Sequence, residues 1–132
     1  MRIELAMLAW TVVLGLVQLV VAAQFFTAAN GLGYGASPRD EPPPNKPSVL
    51  GGRFDRAAKN LLETFPFAAA AILAAVASGR VNGYTAFGAQ LYFWARVAYL
   101  GLYVAGIPYA RSLVWLASVA GIGLVLFGLI GG

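Results

Sequence analysis

The chain contains no cysteine and no histidine. The first absence removes disulfides, thiolate nucleophiles and zinc–thiolate centres together. The second removes imidazole ligation of haem and serine–histidine hydrolysis, and with both gone no metal site is expected. Charge is scarce as well: 11% of the 132 residues are Asp, Glu, Lys or Arg, against about a quarter in ordinary soluble domains. No basic run with interleaved aromatics occurs in a polar context, so nucleic acid is not an expected partner. Acid–base or anion chemistry is left to Arg, Lys, Tyr, Ser, Asp and Glu.

What the chain has in quantity is apolar surface. Hydrophobic residues make up 60% of it and the mean hydropathy is +0.75. A soluble domain of this length could not hide so much, so the composition predicts an integral membrane protein, with residues 1–132 as one domain. The pattern predicts an all-α, four-helix membrane bundle. Leu5 to Ala29 carries no charge and is long enough for a hydrocarbon core of roughly 30 Å; it is too long for the apolar core of a secretory signal. Gln18 and Gln24 on it are expected to turn toward the bundle. Residues 30–52 break the composition, with Gly31, Gly33 and Gly35 followed by five prolines between Pro38 and Pro47, and read as an extended loop. A second helix is expected over 54–77, with Asp55 as its cap and a kink at Pro66. A third is expected over 84–104 and a fourth over 112–130, where Gly121, Gly123 and Gly128 suit close helix contact.

The basic residues orient this bundle. Arg39, Lys46, Arg53, Arg56, Lys59 and Arg111 lie in or beside the first and third loops, whereas the opposite side has only Arg2 and Arg80. The positive-inside rule then puts the first and third loops in the cytoplasm and both termini outside.

The most informative stretch is Arg53 to Phe67. It carries Arg56, Lys59, Asn60 and Glu63 into an apolar segment. Arg56, Asn60 and Glu63 are spaced i, i+4, i+7 and share a helix face. On the third helix Tyr92, Arg96, Tyr99 and Tyr103 follow i, i+4, i+7, i+11. At 1.5 Å per residue, Glu63 and Arg96 both lie roughly 10 Å below the cytoplasmic surface. An unpaired charge at that depth is costly, so the two are expected to interact. With Arg111 and Ser112 at the start of the fourth helix, the expected result is a polar pocket of four cations and one anion, open to the cytoplasm and suited to a small anionic ligand. Each group also has an ordinary reading: Arg56 and Lys59 as residues snorkelling to the headgroups, Glu63–Arg96 as a structural lock, and the tyrosines as an interface girdle. Their convergence at one depth favours the pocket.

These elements resemble the MAPEG family, membrane-associated proteins in eicosanoid and glutathione metabolism, in its bacterial branch. The resemblance rests on Arg56-x-x-x-Asn60-x-x-Glu63-x-Phe65-Pro66, on Arg96-Val97-Ala98-Tyr99-x-x-x-Tyr103 and on Arg111-Ser112, in that order within a four-span chain. It implies a homotrimer in the bacterial inner membrane that binds glutathione between subunits. Arg56, Lys59, Asn60, Glu63, Arg96, Tyr99 and Tyr103 would form the binding set, and Arg111 and Ser112 would stabilise the thiolate. The implied activity is a glutathione-dependent transferase or peroxidase acting on lipophilic electrophiles from the bilayer. The sequence departs from the pattern in offering Gln24 where some members have a basic residue near the end of the first helix, and Tyr99 where some have histidine. With the proline-rich loop, these departures leave an alternative: a non-catalytic trimeric scaffold or accessory subunit that retains the fold.

Overall fold

In the computed structural model, residues 1–131 are described, and four helices account for most of them: α1 (Ile3–Ala36), α2 (Val49–Ala77), α3 (Gly83–Ala105) and α4 (Pro108–Gly131), with no strand among the described residues. The helices α1, α2 and α4 are long and apolar enough to cross a membrane. α3 carries Gln90, Arg96 and several tyrosines and is less apolar, but it lies antiparallel to α4 along its length. Asn82 Nδ2 donates to the Gly128 carbonyl at one end, and the Arg111 guanidinium sits over the Tyr103 ring at the other.

The way α1 is buried is characteristic of a protein whose solvent is lipid. Its buried residues are Glu4, Thr11 and Gln18, every seventh position and all polar, while Trp10, Val12, Leu16 and Leu19 are exposed. In water this arrangement would be inside out. In hydrocarbon the apolar faces are solvated and the polar groups turn inward. Gln18 therefore meets its expectation, whereas Gln24 is exposed.

The interior is built from small side chains. Ala68, Ala71 and Ala75 of α2 pack with Leu61, Ile72, Ala89, Tyr92, Ile122 and Val125. α3 and α4 approach most closely at Gly88 and Gly121. A Cβ at Gly88 would stand 2.6 Å from the Gly121 carbonyl oxygen, and a Cβ at Gly121 would stand 2.8 Å from the Gly88 oxygen. Gly128 is also required, because a Cβ there would meet Asn82 Oδ1 at 2.6 Å; Gly123, expected in the same role, has open space around it. α3 begins with a capping box: the Asn82 side chain accepts from the Tyr84 and Thr85 amides, and Thr85 Oγ1 accepts from the Asn82 amide.

Helix boundaries differ from the sequence expectation around the first loop. α1 continues past Ala29, breaks at Gly31 (φ 83°, ψ 160°) and resumes to Ala36. α2 begins at Val49 rather than near Phe54. Its cap is Ser48, whose Oγ accepts from the Gly51 amide, while Asp55 lies inside the helix and pairs with Lys59 at 2.9 Å. The Gly51-Gly52 pair is therefore part of the first turn of α2, and at Gly51 the reason is contact: a Cβ there would be 2.6 Å from Phe25 Cβ on α1. α2 passes through Pro66 as one helix.

Candidate functional site

The end of the bundle that carries the α1–α2 and α3–α4 connections gathers six of the nine basic residues. The α3–α4 turn fixes its geometry. Gly106 adopts φ 77°, its amide donates to the Tyr103 carbonyl, and the Ile107 amide donates to the Leu102 carbonyl. This left-handed close to α3 suits glycine, and Pro108 then opens α4. The reversal sets Tyr103 on α3 beside Arg111 on α4.

Tyr103 is the hub of the cluster. Arg56 on α2 donates through Nε to Tyr103 Oη at 3.0 Å. The Arg111 guanidinium lies 4.7 Å from the same ring centroid. The Tyr99 ring stands 5.6 Å from that of Tyr103, and the Arg96 guanidinium lies 4.2 Å from the Tyr99 ring. Two tyrosine rings thus separate three arginines from α2, α3 and α4, a use of ring quadrupoles to hold like charges apart and near one another. Asn60, Tyr99, Arg111, Ser112 and Trp115 line a cavity of about 220 Å³. Arg53, Arg56, Tyr103, Gly106 and Arg111 line a neighbouring one of about 200 Å³, so Arg111 borders both.

The expected Glu63–Arg96 contact does not form. Arg96 is buried, 1% exposed, and no carboxylate lies within 4 Å of it among the described residues, where the sole ion pair is Lys59–Asp55. The heights agree with the sequence reading: Arg56 is level with Tyr103 and Thr64 with Tyr92, so the antiparallel register brings Glu63 near the level of Arg96. The direction does not agree. Thr64, not Glu63, faces α3 and bonds Tyr92 Oη at 2.8 Å, and successive helix positions diverge by about 100°. Glu63 is consequently exposed on the protomer.

Lys59 also separates from the cluster. It lines a cavity on the α1 side of α2, together with Asp55 and Arg39. Two residues that the sequence reading did not include join the site. Arg53 donates through Nη1 to the Val104 carbonyl at 2.9 Å, and its guanidinium fills the space beside Gly106. Trp115 lines a cavity together with Asn60, Tyr99 and Arg111. Both were findable, since Arg53 precedes Arg56 by three positions and Trp115 follows Ser112 by three, each on the face of a residue already singled out.

The cluster carries unused bonding capacity. Among the described residues the buried side-chain polar atoms without a hydrogen-bond partner are Asn60 Oδ1, Arg96 Nε and Arg96 Nη1. Buried polar atoms are almost always partnered in folded proteins. Asn60 and Tyr99 line one cavity, and the Arg96 guanidinium lies against the Tyr99 ring with no carboxylate within 4 Å among the described residues.

A helical membrane bundle with arginines and tyrosines from three helices gathered at one end is the class these features define. The MAPEG family model matches residues 7–131, and the chain belongs to the MAPEG family. Comparisons with curated proteins and with solved structures gave no match. The residues present suit glutathione, whose two carboxylates call for guanidinium partners and whose peptide groups call for polar atoms such as those left over on Asn60 and Arg96.

Proposed function

We propose that this protein is a glutathione-dependent transferase or peroxidase acting on lipophilic electrophiles, with its site at the cytoplasmic end of the bundle and with homotrimers as the working assembly. The observation that carries this reading is the set of unpartnered buried atoms on Asn60 and Arg96 beside a cation-rich hub. An unpaired arginine within a membrane bundle is costly to maintain and marks a binding position. Arg56, held by Tyr103, and Arg96, held against Tyr99, are the proposed carboxylate partners, with Asn60 for the peptide. Glu63 is the group suited to the amine. Its exposure on the single protomer fits a site completed where subunits meet.

Glutathione supplies a thiol whose anion attacks electrophilic carbon or oxygen. Arg111 is the residue proposed to favour that anion, because a neighbouring guanidinium lowers a thiol pKa through its charge. Ser112, next in sequence and exposed beside the same cavity, would donate a hydrogen bond to it. The neighbouring lipid-facing surface, apolar and exposed, gives a dissolved electrophile access from the side.

Purified protein tests this directly. Calorimetry should detect glutathione binding, ultraviolet difference spectra should show thiolate absorbance near neutral pH, and a generic aryl halide should be conjugated. Arg111→Ala should retain binding and lose the thiolate signal. Absence of both binding and turnover in an intact trimer would overturn the proposal and favour the scaffold.

A further inference from the structure

The close of α3 leaves one carbonyl that its own helix cannot serve. The Gly106 amide donates to the Tyr103 carbonyl, and the Ile107 amide is spent on the Leu102 carbonyl. Continuing the helix would bring the amide of residue 108 to the Val104 carbonyl, but that residue is Pro108, which has no N–H. α3 also has no basic residue in its last turn to meet the partial negative charge of its C-terminus. Both needs are met from another helix. Arg53 of α2 donates through Nη1 to the Val104 carbonyl at 2.9 Å, which also places its positive charge at that helix end.

The fit is mutual. A Cβ on Gly106 would stand 2.8 Å from Arg53 Nη2 and 3.0 Å from Arg53 Cζ. Gly106 therefore serves twice: it takes the left-handed backbone that ends α3, and its bare Cα leaves the notch that the guanidinium occupies. This tie lies inside the hub. Val104 adjoins Tyr103, Arg56 is about one turn along α2 from Arg53, and Arg53, Arg56, Tyr103 and Arg111 line one cavity. Among the described residues, the side-chain hydrogen bonds from α2 to the α3–α4 turn region are Arg53 to Val104 and Arg56 to Tyr103. Arg56 is exposed and Arg53 is half-buried, so water replaces the Arg53 bond less readily. Arg111 follows the turn directly, and its place 4.7 Å from the Tyr103 ring depends on where the turn is held. All these contacts lie within one protomer and do not depend on how subunits meet.

We propose that Arg53 is a positioning residue for the thiolate: through the Val104 carbonyl and the Gly106 notch it holds the α3–α4 turn against α2, and so fixes Arg111 where its charge favours the anion of bound glutathione. The catalytic part of this inference rests on the glutathione reading above. In this role Arg53 acts through Arg111 and does not contact the thiol. A guanidinium lowers a thiol pKa through its charge, and that influence falls with separation. A loosened turn therefore weakens the effect without removing Arg111.

The test compares wild type with Arg53→Met, Gly106→Asn and Arg53→Lys in the full-length protein, by two readings. The first needs no glutathione. The chain has no cysteine, so spin labels can be placed through Leu50→Cys and Tyr109→Cys, both at exposed positions, with labelled chains diluted among unlabelled ones. Pulsed dipolar spectroscopy should give one narrow distance in the otherwise wild-type protein and broad ones with Arg53→Met or Gly106→Asn. Asn tolerates the left-handed backbone, so Gly106→Asn displaces the Arg53 side chain while keeping its charge. The second reading is the pH titration of thiolate absorbance for bound glutathione. Both variants should raise that thiol pKa by about one unit, a tenfold loss of thiolate below it, with glutathione affinity within about twofold of wild type. Arg53→Lys, which keeps a charged donor, should restore most of both readings. Distances as narrow in the variants as in wild type would overturn the proposal. So would broad distances with an unchanged thiol pKa, which would make Arg53 a tie of the fold alone, or a rise in Arg53→Met but not in Gly106→Asn, which would make its charge and not its placement the cause. Failure of wild type to bind glutathione overturns the proposed function and the catalytic consequence drawn here, and the distances still decide whether Arg53 sets the turn. If Arg53→Met does not fold, Gly106→Asn decides on both readings.

Discussion

Two polar clusters lie at opposite ends of this bundle, and they differ in completeness. At the end bearing the termini, Glu4 is 4% exposed and accepts from Thr85 Oγ1 at 2.8 Å. Thr85 belongs to the α3 capping box, and Asn82 extends to the Gly128 carbonyl. One cluster therefore ties α1, α3 and α4 together. At the other end Arg96 is as deeply buried, but two of its nitrogens and Asn60 Oδ1 have no partner. Both clusters place charge-bearing groups in an apolar setting. One has closed its hydrogen bonds within the protomer, and the other has not. The closed cluster serves the fold, and the open one is where the proposed ligand would bind.

The largest expected effect comes from removing the open cluster's cation. Arg96→Met should weaken glutathione binding by about 100-fold, or about 3 kcal/mol, the scale for losing a buried charge partner. It should leave the ligand-free protein as stable or more so, because an unpaired buried charge is replaced by an apolar side chain of similar length. Calorimetry and thermal unfolding with and without glutathione measure the two halves. Early unfolding with affinity intact would place Arg96 among the structural residues and dissolve the distinction between the two ends.

The opposite pattern is expected at the closed end. Thr85→Val removes the donor to Glu4 and the acceptor for the Asn82 amide. It should destabilise the protein by about 1–3 kcal/mol, the cost of stranding buried polar groups, and leave glutathione affinity unchanged. Thr85→Ser should restore stability. A stable Thr85→Val protein would mean that the Glu4 cluster is ornamental.

These clusters were not equally legible in the sequence. Arg56, Tyr99, Tyr103, Arg111 and Ser112 could be assigned to one end by counting rise per residue, since depth is a one-dimensional property of a helix. Azimuth is less forgiving: the shift from Glu63 to Thr64 as the residue facing α3 is a single position, yet it separates an ion pair from an unpaired arginine. Glu4 carried no signal at all, because its burial depends on α1 lying against the α3 cap, a contact between residues far apart in sequence. The loop boundaries failed for a related reason. Gly31, Gly33 and Gly35 weaken a helix locally, but Asn45 ties the segment back to Asn30 and Ala29, 15 and 16 positions away, through bonds that no short window contains. The separation of Lys59 from the hub follows from azimuth too, as it points to α1 with Asp55.

A smaller test lies between the two ends. Thr64 and Tyr92 share a buried hydroxyl pair at 2.8 Å. Thr64→Val strands the Tyr92 hydroxyl and should cost about 1 kcal/mol of stability. Because this pair is closed like the Glu4 cluster, the affinity for glutathione should not follow. A loss of affinity without a loss of stability would shift Thr64 to the open side of the comparison.

Tyr103→Phe gives the finest discrimination, because it removes one hydrogen bond and little else. The ring that faces Arg111 at 4.7 Å remains, while Arg56 Nε loses the acceptor that orients it at 3.0 Å. Arg56 is exposed, so water can replace that acceptor and stability should change by less than about 0.5 kcal/mol. The cost should appear in binding instead, as a roughly threefold loss of glutathione affinity, about 0.6 kcal/mol, from an arginine that must be reoriented on association. Tyr103→Leu, which also removes the ring, should cost more in both respects by releasing Arg111. If the two variants lose affinity equally, the hydroxyl alone accounts for the contribution of Tyr103, and the ring-mediated spacing of Arg56 and Arg111 has no part in holding the ligand.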